Sequence, residues 1–176
     1  MKYLLFPLLA ISLFLTSSCD NDQSEGSGNV ITDDRTSGAF TTIDIEDAFE
    51  VTIRQGAEHR VVVSADDNII SRVNTSTSGG TLRVRLGNGS FRNVTLRVDI
   101  TTPELGRIEL NDAIRADLID FVSANAMTMD INDASRLDMS GSAPSLELNI
   151  NDASQIEGFD FTTGTCNAEV NDASRV

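Results

Sequence analysis

Beyond residue 38, apolar and polar residues alternate along most of the chain. The clearest stretch runs from 106 to 176. Ile108 and Leu110, then Met127, Met129 and Ile131, then Leu146, Leu148 and Ile150, then Cys166, Ala168 and Val170 stand at every second position. Between them lie Arg107 and Glu109, Thr128 and Asp130, Glu147 and Asn149, and Asn167 and Glu169. Apolar residues at i, i+2 and i+4 mark a strand with one buried face, because a helix would scatter them around its circumference. Each run ends on Asn-Asp-Ala, at 111–113, 132–134, 151–153 and 171–173, with intervals of 21, 19 and 20 residues. A period of this size predicts stacked supersecondary units. After each corner the alternation resumes: Ala116, Leu137, Ile156 and Val176 point in, and Asp117, Asp138 and Glu157 point out. A third side of turn-forming residues is expected near 119–126, 140–145 and 159–165.

The pattern predicts an all-β chain: a right-handed parallel β-helix, or β-solenoid, with ~20-residue coils, preceded by a less regular β section over 39–105. At the corners, Asn111, Asn132, Asn151 and Asn171 are expected to take the left-handed backbone that a sharp turn requires. Ala113, Ala134, Ala153 and Ala173 are expected to turn inward. Strands are predicted at 60–65, 81–86 and 94–101, with Gly79-Gly80 and Gly87-Asn88-Gly89 as hairpin-type turns and a short helical turn within 66–73. The sequence ends as a post-corner strand begins, so further C-terminal coils are expected.

Lys2 and the apolar run Tyr3 to Leu15 have the form of a signal peptide over 1–18, too short to span a bilayer. Thr16-Ser17-Ser18-Cys19 resembles a bacterial lipobox. Cys19 is therefore the expected lipidation site, and a membrane the expected partner through the lipid anchor. Residues 19–38 read as a flexible polar tether. Asp20 and Asp22 resemble the acidic export signal of Bacteroidota surface lipoproteins. The expected location is the cell envelope, as an outer-membrane lipoprotein that is periplasmic or surface-exposed.

Charge and composition narrow the chemistry. With 13 Lys+Arg against 27 Asp+Glu the net charge is −14, which excludes a nucleic-acid partner that needs a basic surface. Two cysteines cannot build a disulfide framework, and one histidine, His59, cannot build a histidine metal cluster. His59 is expected in a solvated turn and Cys166 as a buried thiol. No cofactor is expected.

Four motifs carry a family resemblance: the Phe40…Ile43…Ile45 opening, Val51-Thr52-Ile53-Arg54-Gln55-Gly56, Gly80-Thr81-Leu82-Arg83-Val84, and Thr102-Pro103-Glu104-Leu105 before the corner repeats. Together they resemble the family described as "Putative auto-transporter adhesin, head GIN domain", over roughly residues 35–176. The resemblance implies β-helical domains on Bacteroidota lipoproteins and exported proteins, and no catalytic residues. Family corners are Gly-Ser-Gly-like, whereas here they are Asn-Asp-Ala-Ser.

The sharpest candidate site is the corner column Asp112, Asp133, Asp152 and Asp172. Carboxylates stacked at strand spacing repel by roughly 0.9 kcal/mol per neighbour even in water. A calcium ladder on these four residues is one remedy. The other is structural: each Asp accepts its own corner's N–H groups, and the cationic column Arg115, Arg136 and Arg175 lowers the repulsion. A saccharide-binding face is a third reading of the column, and the structural reading is preferred to both. A carbohydrate-active enzyme resembling a polysaccharide lyase is the alternative function, but such enzymes place unlike residues in a cleft, whereas here one triplet repeats. The expected function is a non-catalytic adhesin-like or scaffolding module whose partner is a cell-surface protein or glycan.

Overall fold

The computed structural model describes residues 23–176. Cys19 and the signal peptide lie outside the described residues. Strands β1 (Gln23–Glu25) and β2 (Val30–Arg35) come first, followed by β3 (Thr42–Ile45), β4 (Glu50–Gln55) and β5 (Arg60–Asp66). A single 3-10 turn, Ile70–Arg72, leads into β6 (Val73–Ser78), β7 (Thr81–Leu86), β8 (Ser90–Arg92) and β9 (Leu96–Thr102). The repeat region supplies β10 (Arg107–Leu110), β11 (Arg115–Val122), β12 (Met127–Ile131), β13 (Arg136–Ile150) and β14 (Gln155–Val170).

Twelve of these strands form one sheet, in the order β2-β5-β9-β4-β11-β13-β12-β10-β3-β7-β6, with β14 also paired to β13. The middle pairs are parallel, whereas β2/β5, β5/β9 and β6/β7, at the two ends of the order, are antiparallel. This corrects the expected right-handed parallel β-helix. The twelve strands form a mixed sheet that curls around one core into a nearly closed, barrel-like wall, with β2 and β6 as the ends of the strand order, and β1 and β8 form a separate two-stranded sheet.

The physical reason lies in the expected third side. Ser140 to Ser145 do not break the sheet; they continue within β13, which pairs with β11 along its first half and β12 along its second. Alternation fixes which side chains face the core but does not fix where a sheet ends. At the bend, Gly141 has φ +127° and lies so close to Phe121 that a Cβ would collide with its carbonyl oxygen, a space open to glycine alone.

The registers follow from the apolar columns. Ile45 faces Leu110, Leu110 faces Ile131, Ile131 faces Ile150 and Ile150 faces Val170. The first four are fully buried in one core with Phe40, Phe49 and Phe121, each contributing roughly 1.5–3 kcal/mol by burial. Cys166, Ala168 and Val170 on β14 are exposed instead of buried, because β13 is that strand's partner on one side only.

Three further departures are local. Gly79-Gly80, both at positive φ, turn the β6/β7 hairpin as expected, but Gly87–Gly89 connect β7 to β8, which do not pair with each other, because β8 pairs with β1. The polar segment expected as a tether is ordered from Gln23 onward. Its docking is polar: Asp66, 1% exposed, accepts the N–H of Gly28 (2.7 Å) and of Thr95 (2.6 Å), and Asp67 accepts Ser27 Oγ (2.6 Å) and Asn29 Nδ2 (2.9 Å). His59 is half-buried, packed on the Phe40 ring at 4.7 Å, with Nδ1 3.1 Å from Thr102 Oγ1.

Candidate functional site

The corners are built differently from the sequence reading. Asp112-Ala113, Asp133-Ala134, Asp152-Ala153 and Asp172-Ala173 each place both residues at positive φ, between 52° and 70°. Ser135 N–H donates to Asn132 C=O (3.2 Å), and Ser154 and Ser174 repeat the bond to Asn151 and Asn171. Two successive left-handed residues closed by this bond make a type I′ turn. So Asp and Ala take the left-handed backbone, and Asn does not. The alanines are exposed at the tip of the turn. The inward position belongs to the next residue: Ile114, Ser135 and Ser154 are buried to 1% exposure or less.

Corner-to-corner bonds consume the backbone. Ala113 N–H donates to Asp133 C=O (2.8 Å), Ala134 N–H to Asp152 C=O (2.8 Å) and Ala153 N–H to Asp172 C=O (2.9 Å). The asparagine side chains form an amide ladder, with Nδ2 of Asn132, Asn151 and Asn171 each donating at 3.0 Å to Oδ1 of the preceding Asn111, Asn132 and Asn151. The buried serines form a second ladder. Ser135 Oγ accepts Ile114 N–H, Ser154 Oγ accepts Ser135 N–H, and Ser174 Oγ accepts Ser154 N–H, all at 3.1 Å. These serines were missed as inward residues, although their recurrence after Asn-Asp-Ala in the last three copies was the signal.

The carboxylates of Asp112, Asp133, Asp152 and Asp172 are exposed. They do not cap their own corners. Among the described residues no group of His, Cys, Asp or Glu is arranged to hold a metal ion, these four included. Nor do the arginines lean toward them: Arg136 runs along its own strand to Asp138 (3.1 Å) and across to Glu157 (2.8 Å). The hydrogen bond to Asp138, with the charges of Asp138 and Glu157, holds the Arg136 pKa above its ordinary value.

Those arginines belong to a different surface. On the outward face of β9, β4, β11 and β13, cross-strand register builds two adjacent rows. One reads Arg97, Glu50, Arg115, Arg136; the other reads Asp99, Thr52, Asp117, Asp138. They line a groove of about 670 Å³. Arg97 pairs with Glu50 at 2.8 Å, and that hydrogen bond, then the Glu50 charge, raises the Arg97 pKa. Arg54 pairs with Asp99 at 3.3 Å. Among the described residues, no ion pair engages Arg115 or Asp117 at the groove's centre.

The domain is thus a mixed all-β fold whose corners bond to one another and whose outer faces are polar and charged. The family model described as "Putative auto-transporter adhesin, head GIN domain" matches residues 39–176, and the chain belongs to that family. Solved structures that share its fold include three putative adhesins. A putative adhesin from Bacteroides fragilis is 17% identical, with a TM-score of 0.64 over 84% of this chain and 78% of that one. A putative adhesin from Parabacteroides distasonis is 13% identical, with a TM-score of 0.63 over 85% and 81%. One from Parabacteroides merdae is 12% identical, with a TM-score of 0.59 over 85% and 80%. No curated protein matches the chain. Membership in an adhesin family points to the cell surface or envelope. Among the described residues, no helix is long and apolar enough to cross a membrane.

Proposed function

We propose that the chain is a non-catalytic, adhesin-like binding module held at the outer membrane through lipid on Cys19. Membership in the adhesin family carries this reading. The residue chemistry supports it. The corner Asn and Ser groups are engaged in holding neighbouring corners together. The outward face of β9, β4, β11 and β13 presents charged and polar side chains in register across four strands, a patterned surface able to contact an extended ligand. Acyl chains on Cys19 would supply about 0.8 kcal/mol of membrane affinity per buried CH₂.

Expression of the full chain in a non-adherent bacterial host tests the reading. Cells carrying the wild type should incorporate labelled fatty acid into the protein and adhere to a glycan- or matrix-coated surface. Cys19→Ser should lose both the label and the adhesion. Equal labelling of the variant would remove the anchor, and turnover of an acidic polysaccharide by the purified protein would remove the non-catalytic assignment.

A further inference from the structure

We propose that the groove on β9, β4, β11 and β13 binds a carboxylated polysaccharide, with Arg115 holding a sugar carboxylate and Asp117 and Thr52 receiving the ring hydroxyls. The inference rests on the binding-module reading above and names its ligand class. Arg115 is exposed, faces Glu50 on one side and Arg136 on the other, and is engaged by no ion pair among the described residues. Its fork is free for bidentate recognition of a carboxylate. Asp117 lies two residues further on the same strand, outward, beside Thr52 and Asp138. A carboxylate that accepts only, next to a hydroxyl that both donates and accepts, suits vicinal sugar hydroxyls.

Other macromolecules fit less well. The groove exposes no aromatic or large aliphatic side chain of its own; its apolar lining, Val51, Val98 and Ala116, is buried. A protein partner needs an apolar anchor at the centre of its interface. Glu50, Asp99, Asp117 and Asp138 would repel the closely spaced phosphates of a nucleic acid. A polymer rich in hydroxyls with intermittent carboxylates meets both rows. The rows also repeat at the strand spacing of about 4.8 Å, comparable to the advance of one pyranose unit along an extended chain, so successive sugars meet successive strands.

The test is titration calorimetry of the full chain, in calcium-free buffer, with short oligomers of hyaluronan and of unsulfated chondroitin, which carry a carboxylate on every second sugar, and with methyl-esterified hyaluronan. Saturable binding of at least one acidic oligomer is expected, with none of the ester, and binding should weaken as salt is raised. Arg115→Ala should weaken it by about ten- to a hundred-fold, the loss of a charge-assisted pair. Asp117→Asn should weaken it less, and Arg92→Ala, on β8, not at all. Unchanged thermal melts show that the variants remain folded. Binding of neither acidic oligomer, or equal binding by Arg115→Ala, overturns the proposal. If that happens while cells displaying the wild type still adhere, the groove assignment falls and the adhesin reading stands.

Discussion

Ser135 Oγ accepts the backbone N–H of Ile114, 21 residues earlier, at 3.1 Å and out of contact with water. The same bond joins Ser154 to Ser135. Ile114 itself needs no hydroxyl, because the preceding corner closes internally, with Phe49 N–H donating to Asp47 C=O at 2.7 Å. The place of the one non-serine residue in the column therefore follows from the hydrogen bonding.

Ser154→Ala should destabilise the fold by about 0.5–1.5 kcal/mol, because the buried N–H of Ser135 loses one of its two acceptors and keeps only Asn132 C=O. Asp152→Asn, two residues away, should be neutral or mildly stabilising, since Asn tolerates the left-handed backbone and removes a charge from the column. Urea denaturation of the two variants measures both, and a larger loss in Asp152→Asn would contradict the serine ladder.

Ala134→Gly should raise the melting temperature. Ala134 holds φ 60° at an exposed turn tip, where an L-residue carries a strain of roughly 1–2 kcal/mol. The greater freedom of unfolded glycine returns about 0.4–1 kcal/mol of that gain. Were the alanine packed inward, the same change would open a void and lower the melting temperature.

Gly141→Ala should cost at least about 3 kcal/mol, from backbone strain together with collision against Phe121. Expression of the variant as an insoluble or early-melting protein is the expected result. A native melting curve would show that the bend between β11 and β13 has room to relax.

Acid should loosen the N-terminal segment before the core. Hydrogen bonds from Ser27 and then Asn29 lower the pKa of Asp67 below its ordinary 3.8. A folded-state pKa below the unfolded value gives stability that is present above 3.8 and lost as pH falls through the lowered value. Amide exchange in 26–29 should accelerate over that acidic range in the wild type. In Asp67→Asn it should already be fast at neutral pH, with no further acid step from this residue.

The inward columns were legible in the sequence because a strand's side chains alternate whatever its neighbours do; Leu110, Ile131 and Ile150 needed nothing more. Strand connectivity was not. Ser140 and Ser145 are turn formers by local preference, but pairing of β13 with β11, β12 and β14 keeps them extended. Gln23–Glu25 and Val30–Arg35 carry no alternation to read, since backbone pairing to β8 and β5 holds them, and Asp66 and Asp67 hold the link between them by hydrogen bonds, more than burial does. The Arg115–Asp117 groove was half visible: the outward positions were evident, but which strands would lie beside them depended on a sheet order that no period encodes.

The attachment of β1 has a mechanical consequence. β1 meets β8 at three positions, whereas β2 meets β5 at six. Tension drawn through the N-terminus reaches β1 first, and the shorter ladder parts before the longer one. Residues 23–29 would then straighten toward a span of at most about 25 Å, while β2 still grips the wall of the barrel. Such a short, renewable slack absorbs a sudden pull and re-forms when the load drops, so the core need not unfold under each tug.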